Sequence, residues 1–161
     1  MFYDGEIHKL LNYIRGLGKV LEEDWQATAK ELGLTLAELH VVWIVGTNNK
    51  LSITNIAKIG LWDRSTVMQI IKRLRAKDIV TITKDDKDLR VTFVTLTKEG
   101  EEKRKLSENA NTRFLHYMDM YQNENIQSMK EVLTFFKDSN TYFHNVEFIN
   151  WVEGSSELFK K

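Results

Sequence analysis

Residues 51–76 read LSITNIAKIGLWDRSTVMQIIKRLRA, and the spacing of their apolar positions decides the fold. Ile53, Ile56 and Ala57 share one face of a short helix that runs from Ile53 to Ile59, with Ser52 placed to cap it and Gly60 to permit the turn that ends it. A second helix, capped by Asp63 or Ser65, turns Val67, Ile70, Ile71 and Leu74 inward and Arg64, Gln69, Lys72, Arg73 and Arg75 outward. Two helices joined by so short a glycine-bearing turn form a helix-turn-helix. A recognition helix needs small polar side chains at its N-terminal end to approach base edges, and cations further along for phosphates. Ser65, Thr66 and Gln69 are therefore the expected base contacts, and Arg64, Lys72 and Arg73 the expected phosphate contacts.

Upstream, Ile7, Leu10, Leu11, Ile14, Leu17, Leu21 and Trp25 recur at helical spacing, predicting a long first helix that ends near Gly33; Gly16 and Gly18 within it read as positions of close helix packing. Thr35-Leu36-Ala37-Glu38 has the form of a capping box and opens a second helix that Asn48-Asn49 closes. Downstream the period changes. Residues 80–83 and 91–96 are β-branched and alternating, and the charged stretch between them, residues 84–89, makes a hairpin with a charged tip. Thr97 then caps a long helix carrying Leu106, Ala110, Phe114, Tyr117, Met118 and Tyr121, which Asn123-Glu124-Asn125 breaks before a further amphipathic stretch. Tyr142, Phe143, Val146, Phe148, Ile149, Trp151, Val152 and Phe159 make the final segment, 142–161, too apolar to stand free, so it is expected to dock on this chain or on a partner. The expected fold is mainly α with a small β-hairpin wing: a winged helix-turn-helix flanked by dimerisation helices. Residues 1–161 are read as a single domain, with a nucleic-acid-binding lobe at 35–97 and a helical dimerisation region at 1–33 and 98–161.

Composition supports this layout. The chain has 161 residues, no Cys and no Pro, and its 23 basic and 23 acidic residues cancel. Zero Cys excludes disulfides, thiolate metal sites and thiol redox sensing. Zero Pro suits long uninterrupted helices. The neutral total hides a segregation: between Lys50 and Lys98 there are 11 basic and 5 acidic residues, a basic middle between acidic ends. No apolar run approaches the roughly 20 residues of a membrane helix, and Met1 to Glu6 lacks the features of a secretion signal, so a cytoplasmic location without membrane contact is expected. His8, His40, His116 and His144 form no paired ligand motif, and neither a nucleophile–base–acid set nor a phosphate loop is present; no catalytic residue, metal or cofactor is expected.

Beyond these patterns, Ile53-Thr54-Asn55-Ile56-Ala57-Lys58, Ser65-Thr66-Val67, Leu74, Ala76-Lys77 and above all Asp88-Leu89-Arg90 running to Val94-Thr95-Leu96-Thr97-Lys98-Glu99-Gly100 resemble the MarR family of bacterial transcription regulators. Glu23-Asp24-Trp25-Gln26, Glu38-Leu39-His40, Trp43-Ile44 and Gly60 are similar to a branch of that family that governs protease production in spore-forming Bacillus relatives. The resemblance implies a homodimeric repressor of stationary-phase or protease genes that binds a pseudo-palindromic DNA operator. It implies that Arg90 and Lys87 approach the minor groove or its phosphates and that Asp88 orients Arg90. A cationic hairpin tip suits the negative potential of a narrow minor groove on physical grounds also. Two departures stand out: Asp85 and Asp86 make the tip more acidic, and Asp78 takes the place of a usual Gly, a position where Asp tolerates the left-handed conformation. Many relatives hold a small-molecule effector between dimer helices and DNA lobe, which would bring Tyr13, His40 and Trp43 to a pocket. The rival reading is a winged-helix protein-interaction module without DNA binding.

Overall fold

The structure, a computed structural model, describes residues 3–48 and 50–156. Helix α1 (Asp4–Glu31) leads into α2 (Leu36–Gly46), followed by the two-residue strand β1 (Leu51–Ser52), α3 (Ile53–Gly60), α4 (Arg64–Ala76), the hairpin strands β2 (Val80–Lys84) and β3 (Thr92–Leu96), and helices α5 (Lys98–Glu108), α6 (Arg113–Phe143) and α7 (Val146–Ser156). The architecture is the expected winged helix-turn-helix with additional helices. The antiparallel sheet has the order β1-β3-β2, with Val80 opposite Leu96 and Leu51 opposite Val94. Strand β1 has no signature in the sequence, because two residues are too few to display alternation.

Helix α2 is the centre. Leu39, Val41, Val42, Ile44 and Val45 are all buried, so it is apolar around most of its circumference, and α1, α3, α4, α5 and β3 pack on it. Val67, Ile70, Ile71 and Leu74 of α4 are buried as the spacing predicts, each stabilising by about 1.5–3 kcal/mol. Ile79, Val80 and Val94 extend the same core into the wing.

The polar heart of this packing is Glu38, 0% exposed. The capping box is formed: the Glu38 N–H donates to Thr35 Oγ1 at 3.3 Å and the Thr35 N–H to Glu38 Oε2 at 2.8 Å. The same carboxylate accepts from Lys77 Nζ at 2.8 Å and Arg73 Nε at 3.3 Å, and Lys77 also donates to the Gly33 carbonyl. Burial pushes the Glu38 carboxyl up, yet the bonds from Lys77 and Thr35 outweigh it and leave the group below the ordinary glutamate range.

Three helices end in the same way, with an N–H reaching five residues back across a left-handed residue. Leu34 N–H bonds Ala29 O across Gly33, Trp62 N–H bonds Ala57 O across Leu61, and Ile79 N–H bonds Leu74 O across Asp78. Asp78 thus takes the left-handed conformation expected of it, φ 56°. Gly60 does not: it is the last residue of α3, and Leu61 (φ 57°) makes the turn. Gly60 instead makes room, since a Cβ there would lie 2.3 Å from the Trp62 ring. Gly100 has a similar reason, a Cβ there falling 2.2 Å from the Ile79 carbonyl oxygen, while Thr97 Oγ1 donates to Asp78 O and accepts from Gly100 N–H.

Several expectations are corrected. The helix after Thr97 is two helices, α5 and α6, because Arg113 and the Phe114 N–H turn to the carboxylate of Asp24 on α1, at 2.7 and 2.9 Å, and Thr112 caps the new helix. Ala110 therefore lies between helices rather than on one. The break expected at Asn123-Glu124-Asn125 is a kink at Asn125 (φ −131°, ψ 35°), where the side chain donates to Tyr121 O. Gly16 and Gly18 meet no neighbour within 4 Å, so they make no close packing inside this chain. The final segment divides: α7 docks on α2 and α3, with Trp151 Nε1 donating to Thr47 Oγ1 at 2.8 Å, Asn145 Nδ2 to Lys58 O at 3.0 Å, and an ion pair between Lys58 and Glu147, whereas Tyr142 and Phe143 stay exposed. Phe159 and Asn49 lie outside the described residues. None of the described helices is long and apolar enough to cross a membrane.

Glu38→Gln should lower stability by about 1–3 kcal/mol at neutral pH, measured by urea unfolding. Because the folded carboxyl is depressed, its contribution is complete above the ordinary glutamate value of 4.5 and is lost as pH falls through the lower folded value, so the gap between wild type and variant should narrow below that pH.

Candidate nucleic-acid interface

Helix α4 presents one face to the core and the other to solvent. On the outer face Arg64, Ser65, Gln69 and Lys72 are exposed and Thr66 is half-buried. The N-terminal turn is organised by Asp63, which settles the two capping alternatives in its favour: its carboxylate accepts from the Thr66 N–H at 2.8 Å, from Ser65 Oγ at 2.5 Å and from Thr66 Oγ1 at 2.5 Å. Led by the hydroxyl of Ser65, these donors hold the carboxyl far below the usual range. Arg73 differs from the other expected phosphate contacts, for its Nε is engaged by buried Glu38 and only half of its side chain is exposed.

The wing is shaped by its own acids. Asp85 Oδ1 accepts from the N–H groups of Lys87 and Asp88 at 2.8 and 2.9 Å, folding the tip, so the acidity there is partly structural. Asp88 grips Arg90 in a two-pronged pair, Nε to Oδ1 at 2.9 Å and Nη2 to Oδ2 at 3.1 Å, and also accepts the Arg90 N–H at 3.0 Å. Arg90 nevertheless stands 90% exposed, raised in pKa by Asp88, while Asp88 is lowered by Arg90. The guanidinium is thus aimed before any partner arrives.

Above this lobe a cavity of about 340 Å³ lies between α1, α2, α5, α7 and the start of α6. Trp25, Trp43, Trp151 and Phe114 provide aromatic walls. Its polar groups are mostly paired with one another: Trp43 Nε1 donates to buried Ser107 Oγ at 2.7 Å, Asp24 holds Arg113, and Arg104 pairs with Glu101 and Glu108. Of the three residues expected around an effector, Trp43 lines this cavity. His40 does not; it packs between Trp43, Trp25 and Trp62 at centroid distances of 5.2, 5.3 and 6.3 Å, where burial pushes its imidazole down. Tyr13, 74% exposed, sits on α1 about two helical turns before the first lining residue, Leu21, and Trp25 lines the cavity instead. The sequence marks Phe114 and Trp151 only as apolar positions and Ser107 not at all, because three separate helices bring them together at the cavity.

Fold and surface together define a winged helix-turn-helix protein. In fold it is similar to a mutant MarR from E. coli complexed with operator DNA, with a TM-score of 0.67 at 17% identity, covering 84% of this chain and 99% of that one. A family model, transcriptional regulator SarA/Rot, matches residues 25–107, more than half of the sequence. The chain belongs to the SarA/Rot family of transcriptional regulators. It is similar to the HTH-type transcriptional regulator Hpr of Exiguobacterium sibiricum, 37% identical over 94 residues that make 58% of this chain and 50% of that protein. It is likewise similar to the DNA-binding transcriptional repressor ScoC of Bacillus subtilis, 36% identical over 94 residues, 58% of this chain and 46% of that protein. The chain spans about half the length of these relatives, which are named as regulators and not as enzymes. The resemblance read from the wing and the helix-turn-helix is borne out.

Ser107→Ala removes the acceptor of the Trp43 indole and should lower the urea-unfolding free energy by about 0.5–1.5 kcal/mol, with Ser107→Thr losing less. Equal stability of all three proteins would show that the bond contributes nothing.

Proposed function

We propose that this chain is a homodimeric, sequence-specific DNA-binding repressor that reads a pseudo-palindromic operator without catalysis. The observation that carries this reading is Arg90, clamped by Asp88 yet almost fully exposed at the end of a hairpin in the basic part of the chain. In this reading α4 enters the major groove, Gln69 and the N-terminal hydroxyls meet bases, Arg64 and Lys72 meet phosphates, and Arg90 with Lys87 reaches the minor groove or its phosphates. Arg73 contributes through its free guanidinium edge while its Nε stays on Glu38.

One recognition helix reads only a few base pairs, so a two-fold dimer would present two of them about 34 Å apart. Support comes from apolar side chains that this chain leaves uncovered: Leu10, Leu11, Ile14 and Leu17 on α1, and Leu133 and Phe136 on α6. Residues 1–33 and 98–161 would supply that interface around the lobe at 35–97, although α1 and α7 also contribute to the lobe's core. The cavity under Trp43 and Trp151 is a suitable seat for a small effector of largely apolar character. Control of stationary-phase or protease genes, from a cytoplasmic location, follows the likeness to the Hpr and ScoC regulators.

Selection of bound duplexes from a random pool tests the reading, with a two-fold symmetric consensus expected. Replacing Lys87 and Arg90 together by Ala should weaken binding to all duplexes and flatten the slope of log affinity against log salt by about 1–2 units. An intact chain that selects no duplex at low salt would mean an interaction module instead. Sedimentation of the intact chain at micromolar concentration should give a dimer; a monomer that binds the palindrome tightly would refute the assembly.

A further inference from the structure

A serine or threonine hydroxyl has one proton to give and two lone pairs to receive with, so in principle it can read a donor or an acceptor on a base edge. At the start of α4 that freedom is removed. Ser65 Oγ donates to Asp63 Oδ1 and Thr66 Oγ1 donates to Asp63 Oδ2, each at 2.5 Å, while the Thr66 N–H fixes the carboxylate's orientation by bonding Oδ1 at 2.8 Å. A bond from a hydroxyl to a carboxylate is charge-assisted and roughly twice as strong as a bond to a neutral base oxygen or nitrogen. An acceptor on DNA therefore does not capture these protons.

We propose that Asp63 sets the polarity of the reading surface: with both hydroxyl protons committed to its carboxylate, Ser65 and Thr66 meet the major groove as acceptors only and select the exocyclic amino groups, N6 of adenine and N4 of cytosine. Asp63 is a positioning residue here, acting through its two neighbours. The inference rests on α4 being the DNA-reading helix, and it adds what that helix can ask of a base. Gln69, with both a donor and an acceptor on its amide, is left as the contact able to read either kind of group.

The geometry also makes a residue-specific demand. In Asp63→Asn the helix cap persists, because Asn caps as well as Asp. The amide oxygen keeps the Oδ1 place, where the Thr66 N–H and the Ser65 hydroxyl both donate, and the amide nitrogen takes the Oδ2 place opposite Thr66 Oγ1. Thr66 must then accept from that nitrogen, and its own proton turns outward. One substitution converts Thr66 from an acceptor to a donor and leaves Ser65 unchanged.

The test uses the full chain and the consensus duplex selected from a random pool. Single bases are replaced by analogues that lack one group: purine for adenine (no N6 amino), 2-pyrimidinone for cytosine (no N4 amino), and analogues of guanine and thymine without O6, N7 or O4. In the wild type, loss of an amino group at the positions read by these residues should weaken binding about three- to tenfold, the fold-change of one neutral hydrogen bond. That sensitivity should vanish in Ser65→Ala, at an exposed position of the helix, or in Thr66→Ala, at a half-buried one. In Asp63→Asn the Thr66-dependent sensitivity should pass from an amino group to O6, N7 or O4, with the Ser65-dependent one retained. Acceptor-deletion losses that disappear in Ser65→Ala or Thr66→Ala, no response of any position to these two variants, or an Asp63→Asn profile identical to wild type would each overturn the inference while leaving DNA binding intact. A wild-type chain that selects no duplex overturns the DNA reading and this inference together.

Discussion

The packing of the winged helix-turn-helix lobe is referred to one buried carboxylate. Glu38 stands at the start of the central helix, closes its capping box, and receives Arg73 and Lys77 from the far end of α4. Taking a charge out of water is expensive, and the expense is offset only when geometry and partners are nearly complete. Here the partners arrive from two directions: a backbone N–H from the turn after α1, and two cations from the C-terminal end of α4. The carboxylate consequently fixes the axial position and rotation of α4 relative to α2, which apolar contacts alone would leave freer to slide. Lys77 carries the constraint further, to the carbonyl of Gly33 at the end of α1.

Much of this was legible in the sequence, for identifiable reasons. Thr35 and Glu38 at a spacing of three announce a capping box whatever the surroundings, and the inward positions of α4 follow from a period of 3.6. Asp78 before the first wing strand and Gly100 after the second could be marked as special positions. What escaped are pairings over long separations. Nothing near Arg73 in the chain signals that Glu38, 35 residues earlier, will hold its Nε. Asp24 interrupting a helical pattern near residue 113 is of the same kind, since local propensity favours continuation and a tertiary hydrogen bond overrules it. Gly60 was read through its conformational freedom, whereas its real service is to leave space for Trp62.

The candidate interface and the cavity differ in how they are built. The residues of the candidate surface lie close in sequence, 63–73 on the helix and 85–90 on the wing, and apart from the bond of Arg73 to Glu38 their hydrogen bonds are short-range, so type and spacing mark them. The cavity is assembled by distant helices, the Trp43 indole donating to Ser107 and the Trp151 indole to Thr47, each across more than sixty positions. Its walls could be found only once α5, α6 and α7 were placed.

Strand β1 joins the wing to the helix-turn-helix in a way that bears on how the chain reaches its native state. Ser52 is both the cap of α3 and the partner of Phe93 on β3. The β2–β3 hairpin closes over a short loop, but the β1–β3 pairing joins Leu51 to Val94 and must wait until the intervening chain has compacted. During synthesis from the N-terminus, α3 and α4 emerge before β3 exists, and the edge of β1 stays open until that strand arrives. The wing's own register is thus local, set by the β2–β3 pairing, while the angle between the hairpin and the helix-turn-helix depends on the two-residue seam with β1, a contact of long sequence separation rather than of local propensity.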